Sequence, residues 1–217
     1  MLLERTPPRQ ARLPLNPALV ATLELLLAGD DFRVFASLMQ RGVFIRLARR
    51  ATLWSLLCQD LELEAGFVEQ RISTIFLNGR PVDTLEAKLR QGDILALSAA
   101  MPGLVGATMR RGGLVATLRS NISHREEGGR EEGGREGIIL VKLFNTLIPV
   151  LGPLLLKRGV LVERDALNDY FRIPGFGERC QRVILNGEEV DPAQAGGLSW
   201  PAAATWIDLI VVTAAPG

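Results

Sequence analysis

The 217-residue chain has few of the residue types that most catalytic and metal sites require. It holds one histidine, His124, and two cysteines, Cys58 and Cys180. These numbers exclude a multi-histidine metal centre, a Cys-x-x-Cys zinc site and a disulfide framework. We interpret His124 as a solvated loop residue and Cys58 as a small core residue. Arg179 can lower the pKa of the Cys180 thiol, but no partner histidine lies near it in the sequence, so we do not assign it as a nucleophile.

The charge balance and the aromatic content argue against nucleic acid and membranes as partners. Lys and Arg number 25 against 24 Asp and Glu, and aromatic residues are 6% of the chain. Such a chain has neither the positive field nor the stacking surface that nucleic acid requires. No run approaches the roughly 18 apolar residues of a membrane span, and the proline-rich start lacks the apolar core of a signal peptide. We expect a cytoplasmic protein.

An internal repeat is the most informative feature of the sequence. Five segments recur in the same order, which predicts a tandem duplication. The pairs are LVATL at 19–23 and 114–118, FASL at 35–38 and FNTL at 144–147, QRGVFI at 40–45 and KRGVLV at 157–162, LNGRPVD at 77–83 and LNGEEVD at 185–191, and LALSAAMPG at 95–103 and LIVVTAAPG at 209–217. Each half, of about 100 residues, is long enough to bury its own core.

The repeat divides the chain into two predicted domains, with the boundary near Gly103. The first covers 1–103 and begins with a flexible arm at 1–17, and the second covers 104–217. Within the second, REEGGREEGGREG at 125–137 is predicted to be a flexible loop. Charged residues and paired glycines cannot bury enough apolar area to offset the entropy of ordering them.

Local patterns predict the same elements in both halves. Apolar runs end at Asn78-Gly79 and at Asn186-Gly187, a strong hairpin signal. Further strands are predicted at 94–98 and 207–213, and at 32–38 and 138–144. Each of the last two precedes a strand that begins at Gly42 or at Gly159. Helices are predicted at 51–61, where Thr52 can cap the first turn, and at 164–171. The resulting order of strand, strand, helix, strand and strand predicts an α+β protein of the β-grasp type.

Several segments carry a family resemblance. GIILVKLFNTLIPVLG at 137–152 resembles the opening strand of the small sulfur-carrier subunit of molybdopterin synthase, and RVILNGEEVD at 182–191 is similar to that family's third strand and turn. LIVVTAAPG occupies the place of its last strand and tail, and QGDILALSAAMPG at 91–103 repeats these signals. The whole chain resembles tandem ubiquitin-like modifiers of bacterial defence operons, which implies two tandem β-grasp (ubiquitin-like) domains from an internal duplication.

The resemblance also implies a function, that of a protein modifier without enzymatic activity, cofactor or metal. Its partners would be an E1-like activating enzyme, an E2-like enzyme, a JAB-type peptidase and a target protein. Gly217 would be the conjugation site, on a tail formed by Ala214, Ala215 and Pro216. A terminal glycine suits this chemistry because it has no side chain to obstruct a narrow enzyme channel.

Two other functions remain open. The first is a non-covalent structural module that self-associates through exposed sheet edges. The second is a sulfur carrier for molybdopterin or thiazole synthesis. Pro216 stands where the sulfur carriers have glycine, and its fixed φ and missing N–H count most against this second alternative.

The remaining polar residues are assigned structural roles. Asp83 and Asp191 follow equivalent turns, where Asp commonly binds backbone amides. A set of arginines is interpreted as solvated surface because acidic residues lie nearby. These are Arg46, Arg49, Arg50, Arg110, Arg111 and Arg119.

Overall fold

One open sheet of mixed strand directions runs through the described part of the chain. The computed structural model describes residues 20–29, 32–48, 50–99, 109–111 and 137–214, and ten strands lie in these ranges. The strands are β1 (Val20–Leu27), β2 (Val43–Leu47), β3 (Thr74–Leu77), β4 (Arg80–Pro81), β5 (Ile94–Ser98), β6 (Gly137–Phe144), β7 (Val160–Glu163), β8 (Cys180–Leu185), β9 (Glu188–Val190) and β10 (Trp206–Thr213).

The helices of these ranges pack on one face of the sheet. They are α1 (Ala36–Arg41), a π-helix (Ser55–Asp60), α2 (Ala65–Arg71), α3 (Ile148–Arg158) and α4 (Arg164–Phe171). Buried residues from the helices and from the strands of both halves form one hydrophobic cluster. A smaller cluster of Phe44, Leu161 and Trp206 lies apart from it. Because neighbouring side chains on a strand point to opposite faces, this small cluster belongs to the other face of the sheet. The predicted α+β class is therefore confirmed.

Most of the predicted elements are present. The predicted strands at 94–98, 138–144 and 207–213 correspond to β5, β6 and β10 within one residue at each end, and the helix at 164–171 is α4. In the helix predicted at 51–61, Thr52 caps the first turn as expected. Its Oγ1 accepts from the Ser55 N–H at 3.1 Å, and the Ser55 Oγ accepts from the Thr52 N–H at 2.8 Å.

The strand predicted at 32–38 is wrong. A 3-10 turn at Phe32–Phe35 leads into α1, and the first strand of the half is β1. Phe35, Leu38 and Met39 are buried, and their spacing of three and four residues is the helical period. This period outweighs the strand preference of Phe32 and Val34 at the start of the segment. The second half also has a helix, α3, between its first two strands, and the predicted order omitted it.

The order of the strands mixes the two halves of the sequence. It runs β4-β3-β5-β6-β2-β7-β10-β1-β8-β9. β1 pairs parallel with β10 and antiparallel with β8, both from the second half. β6 pairs parallel with β5 and antiparallel with β2, both from the first half. Each half thus places its first strand among strands of the other.

The predicted division of the chain remains a prediction. The boundary near Gly103, the arm at 1–17 and residues 125–136 of the predicted loop lie outside the described residues, whereas Gly137 begins β6. The tandem β-grasp duplication likewise remains a prediction and is taken up below.

Candidate functional site at the C-terminal strand

The strand that leads to the C-terminus lies inside the sheet. β10 pairs antiparallel with β7 on one side and parallel with β1 on the other. Its side chains Ile207, Leu209 and Val211 are fully buried, and Trp206 is 6% exposed. From Trp206 to Leu209 the strand is paired on both sides, whereas its last four residues, up to Thr213, pair with β1 alone. The predicted tail therefore starts from a strand end that β1 holds.

The last described residue, Ala214, is still tied to the sheet. Its N–H donates to the carbonyl oxygen of Leu27 at 3.1 Å, one position beyond the last parallel pair, Leu27 with Thr213. The other predicted tail residues, Ala215 and Pro216, and the predicted conjugation site, Gly217, lie outside the described residues.

The end of β1 and the start of β8 lie beside the C-terminal end of β10, which leads into the predicted tail. The register of these two strands shifts between Leu26 and Leu27, so that Leu27 lies opposite Cys180. Beyond the shift, the N–H of Ala28 donates to the carbonyl oxygen of Arg179 at 2.7 Å. The backbone around the exit is therefore bound on both sides, and β1 is the element that holds Ala214.

The two Asn-Gly turns bind a neighbouring strand in the same way. Asn78 and Asn186 have φ values of 53° and 51°, and the glycines that follow have 77° and 83°, as a type I′ hairpin turn requires. Asn78 Oδ1 accepts from the N–H of Ile94 in β5 at 2.9 Å, and its own N–H donates to the Ile94 carbonyl at 2.8 Å. Asn186 makes the same pair of bonds with Thr22 in β1, both at 2.9 Å.

These bonds show that β1 stands beside β8 as β5 stands beside β3. The repeated Asn-Gly dipeptides predicted the turns, but no sequence signal indicated which strand each asparagine side chain would bind. Thr22 lies 164 residues from Asn186, whereas Ile94 lies 16 residues from Asn78.

An ion pair joins β10 to β2 across β7. Arg46 Nη1 donates to Asp208 Oδ2 at 2.8 Å, and Arg158 Nη2 donates to the Arg46 carbonyl at 2.7 Å. Asp208 Oδ1 is buried without a hydrogen-bond partner among the described residues. The Arg46 side chain is half exposed, at 50%, so the pair contributes at most about 1 kcal/mol.

Neither cysteine has the surroundings of a nucleophile. Burial raises the pKa of the Cys180 thiol to about 11 and also raises the pKa of Cys58. The lowering of the Cys180 pKa by Arg179 that the sequence allowed is therefore not observed. Cys58 packs against the main core, as the sequence predicted.

Some of the other polar residues singled out in the sequence have structural roles, and others lie outside the described residues. Asp191 accepts from the Ala193 N–H at 3.0 Å, the predicted turn role. Arg111 Nη2 donates to the Val68 carbonyl at 3.1 Å, and burial lowers the pKa of this guanidinium, while Glu69 and Asp83 act in the opposite direction. His124, Arg49 and Arg119 lie outside the described residues.

The described ranges contain no group of three or more His, Cys, Asp and Glu side chains that could hold a metal ion. Among the helices of the same ranges, none is long and apolar enough to cross a membrane.

Comparisons of the chain with protein-family models, with curated proteins and with solved structures found no match.

Proposed function

We propose that the chain is a ubiquitin-like protein modifier built from two β-grasp units. In a β-grasp sheet the first and last strands lie side by side and parallel, the second strand flanks the first, and the third and fourth flank the last. The set β4-β3-β5-β6-β2 has this order and these directions, with β6 in the place of a first strand. The set β9-β8-β1-β10-β7 has the same directions, with β1 in the place of the last strand and β10 in that of the first.

Matched local features support a common origin for the two units. In each half a helix separates the first two strands and ends at a glycine of positive φ, Gly42 at 114° and Gly159 at 96°. The connection is also equally long, since residues 28–42 and 145–159 both number fifteen. Equal lengths and equal turns at corresponding places are what a duplication produces.

The proposed activity resides in the terminal carboxylate. The carboxylate of Gly217 attacks the α-phosphate of ATP on an E1-like enzyme and releases pyrophosphate, and an enzyme thiol then displaces AMP. An amine of the target protein finally displaces the thiol and forms an amide. The chain supplies the acyl group and no catalytic side chain.

The observation that carries the proposal is the anchoring of Ala214. The hydrogen bond to Leu27 is the last link to the sheet among the described residues. Because β1 holds Ala214 there, the end of β1 and the start of β8 lie nearest to the proposed tail among the described elements. We expect the activating enzyme to contact this surface.

Deletion of Gly217 tests the proposal. The full chain with an N-terminal tag is expressed in the cells from which it comes, and tagged adducts of higher mass are isolated. Trypsin cuts after Arg182, the last basic residue, so a target lysine would carry residues 183–217 as a branch. We expect the adducts and the branched peptides to disappear in the deletion variant, while its unfolding curve stays unchanged because β10 and Ala214 are retained.

Pro216→Gly provides the matched control, since it alters the tail but keeps the terminal glycine. We expect this variant to form adducts. Adducts that persist without Gly217 would refute the proposal, and so would their absence in the parent chain. A mass increase of one sulfur for one oxygen in the intact chain would indicate a terminal thiocarboxylate and therefore sulfur carriage.

A further inference from the structure

The first strand has no strand partner in its own half. β1 pairs with β10 along its whole length and with β8 from Leu23 to Leu27. Both partners follow it by more than 150 residues in the sequence. β1 is therefore held by main-chain bonds to strands that are distant in the sequence.

The place between β10 and β8 fits β1 closely. Ala21, Leu23, Leu25 and Leu27 point into the main core and are at most 2% exposed. The alternate residue Glu24 is exposed on the other face. An alternation of this kind fixes the register, because a shift by one residue would reverse which side chains are buried.

β1 cannot take the corresponding place in its own half without burying polar groups. β6, which occupies that place, buries Ile139 and Val141. The connection from β1 to β2 and the connection from β6 to β7 both contain fifteen residues. When β1 is aligned with β6 on this basis, Thr22 and Glu24 correspond to Ile139 and Val141. Burying a carboxylate there without a partner is strongly unfavourable. When β1 leaves its place, it therefore has no competing site within its half.

The outer edges of the sheet offer little to a second molecule. β4 has two residues and β9 has three, of which two are glutamates. Short, charged edges oppose pairing between molecules. Self-association by way of strands thus favours the interior place that β1 fills.

We propose that two copies of this chain exchange β1, so that β1 of each copy lies between β10 and β8 of the other. The dimer keeps every contact of β1 and changes only the path that leads from it to the next element, the low-cost route known as domain swapping. Reciprocal exchange gives a closed two-fold dimer. In the monomer, β1 binds between β10 and β8 of its own chain at an effective concentration of about 1 mM. A second chain competes for β1 only near that concentration, so we expect the dimer to form there. This inference does not depend on the conjugation of Gly217.

A mixing experiment with full-length chains tests the exchange. Glu24 lies opposite Ile184 in the register of β1 and β8, within disulfide reach. One chain carries Glu24→Cys and the other, labelled with nitrogen-15, carries Ile184→Cys. The two are mixed at about 1 mM and incubated before oxidation. Light scattering measures the mass, and intact mass spectrometry counts disulfide-linked pairs of one light and one heavy chain.

The matched control replaces Ile184→Cys by Glu189→Cys. Glu189 lies opposite Ile184 on the next strand, about 10 Å from Glu24 and beyond disulfide reach. The native thiols are present in both mixtures, so they affect both equally; Cys180 is buried, Cys58 is half-buried, and burial raises the pKa of each thiol. We expect a dimer, with at least about tenfold more mixed disulfide than in the control.

Three results would overturn the exchange. They are a protein that stays monomeric at this concentration, a dimer without the mixed disulfide, and equal yields in the two mixtures. Equal yields would indicate a dimer that forms through another surface.

Discussion

Replacing Leu25 of β1, which lies in the first half of the sequence, should destabilise strands of the second half. Leu25 is 1% exposed and lies opposite Val183 of β8 and Val211 of β10, both completely buried. Leu25→Ala removes most of a buried side chain between these two valines. Glu24→Ala is the matched control, because the neighbouring side chain is exposed on the other face.

The expected cost follows from the burial of Leu25. Leucine-to-alanine changes in a closed core cost about 2–5 kcal/mol, the larger values arising where the site cannot collapse. The partners of Leu25 are held in a sheet on both sides, so we expect about 3 kcal/mol. The control should change the free energy of unfolding by less than about 0.5 kcal/mol. A total stability of about 5–15 kcal/mol leaves the variant folded enough to study.

Urea unfolding gives the size of the effect, and hydrogen exchange read by mass spectrometry gives its location. A loss of about 3 kcal/mol raises the opening constant more than a hundredfold. We expect the faster exchange in β8 and β10, whose amides depend on β1, with much smaller changes in β3 and β5. Trp206 reports on the same region, since it lies opposite Val20 of β1.

Faster exchange in β2 and β5 with β8 and β10 unchanged would refute this reasoning. It would mean that β1 packs in its own half. A loss no greater than that of Glu24→Ala would be equally damaging, because a leucine that fills the core cannot be as dispensable as an exposed glutamate.

Three further predictions concern local features. Thr52→Ala should cost about 1 kcal/mol in urea unfolding, because the hydrogen bond from the Ser55 N–H that caps the turn leading into the π-helix is lost, whereas Thr52→Ser should cost little. Gly42→Ala should destabilise the fold, because its φ is +114° and a Cβ would lie 2.8 Å from a Leu140 methyl. Gly66→Ala, in the open first turn of α2, should instead stabilise the fold by up to about 1 kcal/mol. A Gly42→Ala variant more stable than Gly66→Ala would contradict both predictions. The folded Cys180 thiol keeps its proton to about pH 11 and the unfolded thiol ionises from about pH 8.5, so stability should fall between these values, and Cys180→Ala should remove that part of the pH dependence in unfolding curves.

The sequence predicted the local elements well where one signal dominated. The Asn-Gly pairs gave both hairpin turns, Thr52 gave the helix cap, and the apolar runs gave β5, β6 and β10. It failed at 32–38, where aromatic and β-branched residues outweighed the helical spacing of Phe35, Leu38 and Met39. Propensity is the weaker guide when the buried positions already follow one period.

The candidate site was predicted only in outline. The sequence placed the tail after an apolar final strand, and β10 ends at Thr213 with Ala214 still bound. It did not predict that Leu27, far away in the chain, would supply the carbonyl that holds Ala214. A hydrogen bond between backbone atoms leaves no mark in the side chains of either residue.

The sequence by itself determined the apolar runs that become β5, β6 and β10 and the reversals at Asn78-Gly79 and Asn186-Gly187, since apolar patterning and turn chemistry act over a few residues. Only the tertiary structure decided which strands become neighbours. β1 could bury its leucines beside any pair of strands that accepts its register, and its backbone donors and acceptors are the same as those of every other strand. In the place between β8 and β10, Leu23, Leu25 and Leu27 are buried and Glu24 is exposed. That place exists only when both halves are folded together, because its two strands come from the second half and β1 from the first.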